Sequence, residues 1–389
     1  MLPTTPRSIL LEPAAQAVAA GYRVALACGG TAGHVYPALA VADLCRRDHG
    51  AATAFFVVPA EGLACRLVTA AGYEIEILDS LPFSGASARG KVAAVGRLAR
   101  GIVGARQILR RRGAQLAIGF GGYASAAPLL AARSLGLRTA IHEANVTAGL
   151  TNRLLARLVD RVFTSFEPAA SGLSSARAER TGTPLRREIV ELATARRAAG
   201  AGARTPARVL VTGGSLGSPF LNREAPDLLG RIARRGVALA VRHQCGGWPA
   251  RPIEEAYAQA GVSASVFSYL DDIPDAYAWA DFAIACAGAG TVFELAAAGL
   301  PSLFIPLAKA AHDHQTRNAI AFSEACGGWW TAETGWQPEA WAARLAGLLA
   351  DPHELAAAAA RVLRFPVPGA AARVMAACDA LMGAATASR

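Results

Sequence analysis

The chain has 389 residues, of which 53% are hydrophobic and 17% charged, with a formal net charge of +10. That apolar content fills two cores and excludes a disordered chain, while the positive balance favours anionic partners (nucleic acid, anionic lipid or a phosphorylated substrate), with a solvated arginine-rich surface as the plain alternative. Seven cysteines, an odd count without a C-x-x-C pair, exclude a disulfide scaffold or a cysteine zinc site, and no apolar run is long enough to read as a membrane span.

Residues 1–20 carry only a weak apolar stretch, Ile9–Leu11, broken by Glu12 and Pro13. This makes a poor signal peptide and reads as an extension outside the fold. Strands are then expected at 22–28, 54–58, 74–78, 115–119, 138–142 and 160–164. Helical patterns fill 37–47, 61–71, 92–112, 125–135 and 149–157. Short apolar strands alternating with helices predict a parallel sheet covered on both faces. Between Glu167 and Ala207 the composition turns to that of a linker around a polar helix. The alternation restarts at Val209, with strands near 237–243, 263–267, 282–286 and 301–305. A mostly helical tail follows from Gln337. The expected division is an extension (1–20), a first Rossmann-like domain (21–167), a linker region (168–207), a second Rossmann-like domain (208–365) and a closing helix (366–389) that packs back toward the first domain.

Two of the strands run straight into a glycine turn and then a helix: Val24-Ala-Leu-Ala-Cys-Gly-Gly-Thr-Ala-Gly-His34 and Val209-Leu-Val-Thr-Gly-Gly-Ser-Leu-Gly-Ser218. Such a unit aims backbone N–H groups and a helix N-terminus at an anion. Two of them imply two nucleotide-fold halves facing across a cleft, for which nucleotide-sugar chemistry is the leading use. Thr31 and His34 would face that cleft. A plain tight turn is the competing reading, because the spacing G-x-G-x-x-G with a later acid is absent. Gly119-Phe-Gly-Gly-Tyr-Ala-Ser125 forms a further glycine turn. His142-Glu-Ala-Asn145 and Gly149-Leu-Thr-Asn152 suit either sugar hydroxyls or asparagine cap and turn roles.

Arg186, after a Gly-Thr-Pro turn, either clamps a phosphate or lies on the surface. Ser215 in the second glycine turn and the Gly288–Thr291 turn offer further phosphate contacts. Glu294 either complements a helix dipole or holds a ribose diol. His312-Asp-His-Gln315 lacks zinc spacing and reads as a polar loop offering Asp313 and Gln315 to hydroxyls. With no D-x-D sequence to bind a metal diphosphate, helix dipoles, hydroxyls and Arg186 are left to neutralise a leaving group. Neither a metal nor another cofactor is expected.

The segment 89–112 sets Arg97, Arg100, Arg106 and Arg110 to Arg112 among Val92, Val95, Leu98, Ile102, Val103, Ile108 and Leu109, with Leu81-Pro-Phe83 just ahead. An apolar face rimmed by arginine suits an anionic membrane surface, centred on 81–112. An ordinary amphipathic helix packed on the sheet is the alternative. Aromatic residues are not interleaved with the basic ones, so nucleic acid is not expected as a partner.

Taken together, the first glycine turn through Ala40, Gly121-Gly-Tyr-Ala-Ser125, His142-Glu-Ala-Asn145, Ala148–Asn152, Gly182-Thr-Pro-Leu-Arg186, Gly213–Gly217, Tyr269-Leu-Asp-Asp272 with Ala276–Asp281, Gly288–Glu294, and Asp313-His-Gln315 with Asn318-Ala319 resemble the MurG family. These are peripheral membrane glycosyltransferases of peptidoglycan synthesis. The resemblance implies an α/β fold of GT-B type and transfer of N-acetylglucosamine from its UDP conjugate to the C4 hydroxyl of the muramyl sugar of lipid I. Transfer would invert the anomeric carbon, need no metal and give lipid II. It implies a place on the cytoplasmic face of the plasma (inner) membrane, with other cell-wall synthesis proteins as candidate partners.

By position, Tyr269 and Leu270 would lie beside the uracil and Glu294 would hold the ribose. Ser215, Arg186 and Gly288, Ala289, Gly290 and Thr291 would face the diphosphate, and Asn145, His314 and Gln315 the sugar. Thr31, Gly33, His34 and Tyr123 would line the acceptor side, Thr31 and Gly33 also reaching the donor, with His34 as general base. The chain departs from the family pattern at Ala32, Ala144, Thr183 and Leu216. Rival readings are a related UDP-sugar transferase acting on another lipid or a small molecule, a sugar-nucleotide isomerase or hydrolase of the same fold, and a catalytically silent membrane scaffold.

Overall fold

The computed structural model describes residues 21–29, 31–48, 54–78, 88–167, 171–173, 175–199, 205–308, 313–365 and 369–386. Its first sheet holds β1 (Val24–Ala27), β2 (Ala54–Val58), β3 (Ile75–Ile77), β4 (Leu116–Gly119), β5 (Arg138–Glu143), β6 (Arg161–Thr164) and β7 (Ala178–Arg180) in the order β3-β2-β1-β4-β5-β6-β7. The second holds β8 (Ala207–Thr212), β9 (Leu239–Gln244), β10 (Ser263–Phe267), β11 (Phe282–Ala285), β12 (Ser302–Phe304) and β13 (Trp329–Trp330) in the order β10-β9-β8-β11-β12-β13. The strand pairs are parallel in both. Helices cover both faces, which is why central strands such as β1 and β11 are buried at every residue and read as unbroken apolar runs.

In each sheet the strand order reverses direction beside the first strand, between β1 and β4 and between β8 and β11. The carboxyl ends of strands flanking such a reversal leave a crevice. The glycine turns after β1 and β8 lie at those two points.

Several elements differ from the sequence expectation. The segment 168–207 is not all linker. It supplies β7 to the edge of the first sheet, and its helix Arg187–Ala199 buries Ile189 and Ala193 against Ala276, Tyr277 and Phe293 of the second domain. Strand β7 reads Ala-Glu-Arg and is only partly buried, so no apolar pattern announces it. The two-residue β13 is equally short of signal. The first helix begins at Ala32 instead of residue 37, with Pro37 inside it; glycine and proline, both poor helix formers, hide that first turn.

The helix Ala88–Arg111 turns much of its apolar face inward. Ala105, Ile108 and Leu109 are buried and Leu98 and Ile102 partly so, although Val95 and Val103 remain exposed. Arg111 and Arg112 pair with Glu76 (2.6 and 2.5 Å), Arg112 also with Glu74 (2.7 Å), and Arg106 bonds Ser134. The expected apolar lead-in Leu81–Phe83 lies outside the described residues.

The last helix, Ala370–Thr386, belongs to the core of the first domain. Val374, Met375 and Cys378 are buried together with Val35, Leu39 and Cys45 of the helix Ala32–Asp48. The Tyr22 hydroxyl donates to Asp379 (2.8 Å) and Arg373 Nε donates to the Thr181 carbonyl (2.9 Å).

A buried polar cluster lies under the second domain. His243 sits 3.0 Å from Asn222 Oδ1 through Nε2 and 2.9 Å from the Tyr257 hydroxyl through Nδ1. Asn222 donates its amide to the Cys245 carbonyl (3.1 Å), so its oxygen accepts and Nε2 carries the ring proton. Burial pushes the His243 pKa down to about 4. It depresses that of the fully enclosed His142 as well, against the opposing pull of the Gly182 carbonyl. Unfolding returns both imidazoles to their ordinary range, so below about 6.5 the unfolded chain binds more protons than the folded one. Stability is therefore intact above 6.5 and falls as pH drops toward 4. Urea midpoints taken across that window check this, and His243→Gln flattens the slope.

Candidate active site

The two sheets open onto one shared cleft of about 500 Å³, walled by the turns at their carboxyl ends. The first domain contributes Thr31, Gly33, His34 and Asn145. The second contributes Ser215, Tyr269, the Gly288–Thr291 turn, Glu294, His314 and Gln315, and Arg186 enters from the connecting segment. Tyr123 and Leu270 are not brought to the wall. Tyr123 opens a short 3-10 turn, and the Leu270 side chain is packed into the core among residues such as Ala276 and Phe293. His312 lies outside the described residues. No group of three or more His, Cys, Asp or Glu suited to a metal occurs among those described.

His34 stands in the first turn of the helix Ala32–Asp48, with Nδ1 2.9 Å from the Gly29 carbonyl. A carbonyl only accepts, so in the neutral ring Nδ1 carries the proton and Nε2 keeps its lone pair. The ring rests on the Gly121 turn. A Cβ at Gly121 would lie 3.1 Å from Nε2, and its φ of +92° is itself glycine territory.

Glu143 has a role that residue type alone did not reveal. Its buried carboxylate accepts from the backbone and side chain of Asn145 (2.9 and 3.2 Å), from the Gly149 N–H (3.1 Å) and from Asn152 Nδ2 (2.9 Å). It therefore ties together the segment that presents Asn145 to the cleft. Thr147 Oγ1 on this segment and Asn152 Oδ1 on the helix Leu150–Leu155 are buried without a hydrogen-bond partner among the described residues.

Asn318 was visible in the sequence only as part of a motif. Fully buried, it accepts from the Val146 N–H (3.0 Å) and donates to Asn145 Oδ1 and the Ala287 carbonyl (3.1 Å each), joining the two domains under the cleft.

Across the cleft, the helix Ala289–Ala297 starts behind Gly288 with no side-chain cap, so its first N–H groups stay available to an anion. A Cβ on Gly290 would sit 3.9 Å from Gly33 Cα, which measures how closely the turns of the two domains face each other. The Gly213–Gly217 turn is as tight: Gly217 has φ +74°, and a Cβ there would strike the Cys245 carbonyl at 2.2 Å. The Cys286 thiol on the cleft floor is pushed up to about 12 by burial and is no nucleophile near neutrality.

Arg186 and Glu294, read separately from the sequence, meet each other. Arg186 Nη2 and Nε donate to Glu294 Oε1 at 2.8 and 3.2 Å, and the Tyr277 hydroxyl donates to Oε2 at 3.0 Å. Burial works against the arginine charge and Glu294 more than restores it, so the guanidinium stays protonated. Gln315 is held by the Leu307 N–H on its Oε1 (3.1 Å). The four departures, Ala32, Ala144, Thr183 and Leu216, all lie on the cleft wall. Thr183 bonds Ser165 at 2.6 Å and Leu216 is exposed.

Two parallel sheets whose glycine turns meet across one cleft define the GT-B fold. Profiles of the glycosyltransferase family 28 N-terminal and C-terminal domains match residues 24–164 and 208–374. The chain is 37% identical over 353 residues to the UDP-N-acetylglucosamine--N-acetylmuramyl-(pentapeptide) pyrophosphoryl-undecaprenol N-acetylglucosamine transferase of Aeromonas hydrophila subsp. hydrophila, covering 91% of this chain and 95% of that one. It is 41% identical over 303 residues to the protein of the same name from Methylococcus capsulatus, covering 78% and 82%. The crystal structure of Acinetobacter baumannii MurG matches with a TM-score of 0.72 and 28% identity, over 91% of this chain and 98% of that one. The chain belongs to the MurG family.

Glu143→Gln sets an amide N–H₂ against donors that now meet a carboxylate. The change costs about 1–3 kcal/mol, seen as a lowered thermal midpoint and a reduced turnover by the protein that remains folded.

Proposed function

We propose that this protein transfers N-acetylglucosamine from UDP-N-acetylglucosamine to the C4 hydroxyl of the muramyl sugar in undecaprenyl-pyrophosphoryl-MurNAc-pentapeptide. The observation that carries this reading is the facing pair: on one wall an imidazole whose Nδ1 lies 2.9 Å from the Gly29 carbonyl, which leaves Nε2 for the cleft, and on the other an uncapped helix N-terminus. His34 Nε2 takes the proton of the acceptor hydroxyl as its oxygen bonds to the anomeric carbon from the first-domain side. The bond from that carbon to the diphosphate oxygen breaks on the opposite face, inverting the centre and releasing UDP. Charge building on the leaving diphosphate is met by the Gly288–Thr291 N–H groups, by Ser215 and by the Arg186 guanidinium. Glu294 holds the ribose, Tyr269 flanks the uracil, and Asn145, His314 and Gln315 surround the transferred sugar.

The reading also seats the protein on the cytoplasmic face of the plasma membrane. No helix among the described residues is long and apolar enough to cross it. Leu150, Leu154 and Leu158 are exposed at a spacing of four, with exposed Arg153 and Arg157 between them, and Leu150 also lines the cleft. An apolar stripe flanked by arginine at the cleft mouth suits an anionic leaflet from which a lipid-borne acceptor is presented.

Purified protein given UDP-N-acetylglucosamine and a lipid I analogue should form the disaccharide and release UDP in equal amounts, and His34→Ala should lower kcat by about 10²–10⁴. Consumption of the sugar nucleotide without acceptor would point to an isomerase or hydrolase, and turnover on other acceptors alone to a related transferase. In sedimentation with vesicles, wild type should bind anionic lipid in preference to zwitterionic lipid, and Leu154→Glu should weaken that binding.

A further inference from the structure

Tyr36 belongs to the first domain, yet its side chain meets groups of the donor side. The Arg186 guanidinium carbon lies 4.1 Å from the centre of the Tyr36 ring, and the Tyr36 hydroxyl is 3.4 Å from that of Tyr269. Arg186 is in turn held on Glu294 Oε1, and Glu294 Oε2 on the Tyr277 hydroxyl. Four side chains thus form one line: a first-domain ring, a cation from the connecting segment, and a carboxylate and a phenol from the second domain. The central ion pair is largely shielded, with side-chain exposures of 16% for Arg186 and 10% for Glu294.

A cation over an aromatic face gains most where water is excluded. A guanidinium also has a plane, so a ring beneath it fixes orientation as well as position. Nε and one N–H of Nη2 are committed to Glu294, which leaves the Nη1 pair and the second Nη2 N–H to meet an anion. The Tyr36 ring lies against this arginine from the first domain. It sets the plane of the arginine, and through it the carboxylate, on the far side of the cleft.

We infer that Tyr36 is a positioning residue for the UDP-sugar: its ring orients the Arg186–Glu294 pair and thereby makes donor binding depend on the first domain lying closed against the second. This rests on the donor reading given above. Because the ring and the pair sit on different domains, opening the cleft separates them, and donor binding and closure favour one another.

The test measures both substrates' kinetics in Tyr36→Leu, Tyr36→Phe, Arg186→Lys and Tyr36→Leu/Arg186→Lys, alongside calorimetry of UDP binding to the wild type. Loss of the ring in Tyr36→Leu should raise the donor KM about five- to tenfold, with the acceptor KM within about twofold. Tyr36→Phe, which keeps the ring, should restore the donor KM to near wild type. Arg186→Lys loses the planar stack, so the double variant should be little worse than the worse single one. Additive effects in the double variant, an unchanged donor KM in Tyr36→Leu, a shift in the acceptor KM as large as that in the donor KM, or a Tyr36→Phe protein as impaired as Tyr36→Leu would each overturn the inference. If Tyr36→Leu does not fold, Tyr36→Met takes its place: it also removes the ring, so the same rise in donor KM is expected and an unchanged donor KM overturns the inference. A wild type that takes up no UDP would instead remove the donor reading itself, and the inference with it.

Discussion

In a parallel sheet with right-handed crossovers, the connections on either side of a reversal in strand order leave toward opposite faces, so the carboxyl ends there are left with an open crevice. This constraint governs the molecule twice, beside β1 and beside β8. Glycine turns fill both openings because larger residues would collide: Gly121 against the His34 ring and Gly217 against the Cys245 carbonyl. Facing the two openings toward each other makes a single cleft from two incomplete ones. The imidazole comes from one half and the uncapped helix from the other.

Much of this was legible in the residues. The continuous apolar runs of β1, β4, β8 and β11 announced buried parallel strands, and the glycine turns behind β1 and β8 marked the cleft. What stayed hidden had weak local signal or depended on distant partners. Strand β7 is three residues of mixed polarity whose pairing is dictated by β6. The type of Glu143 says nothing of the four donors that residues 145–152 fold around it. Arg186 and Glu294 lie 108 residues apart, and only the tertiary fold makes them one unit. Leu270 sits next to Tyr269 yet turns its side chain the other way, into the core.

The polar groups buried beneath the cleft share a pattern. Glu143 and Asn318 are enclosed, and each is satisfied mostly by backbone N–H groups, carbonyls and amides. Removing either would strand several hydrogen-bond partners at once, which makes such groups costly to lose. Asn318 has the added effect of tying Asn145, on the first-domain wall, to the Ala287 carbonyl just ahead of the Gly288–Thr291 turn. Geometry on the two walls is thereby fixed by one amide.

The placement of the helix Ala370–Thr386 bears on how the chain is made. Its buried Val374, Met375 and Cys378 finish the interior of the domain that is synthesised first. As the polypeptide leaves the ribosome, the amino-terminal half must wait with an unfilled apolar trench until the carboxyl-terminal residues emerge, whereas the later half already has its own interior in hand. The half that starts earliest is thus completed last, and a premature stop would injure the part of the molecule most distant from it in the gene.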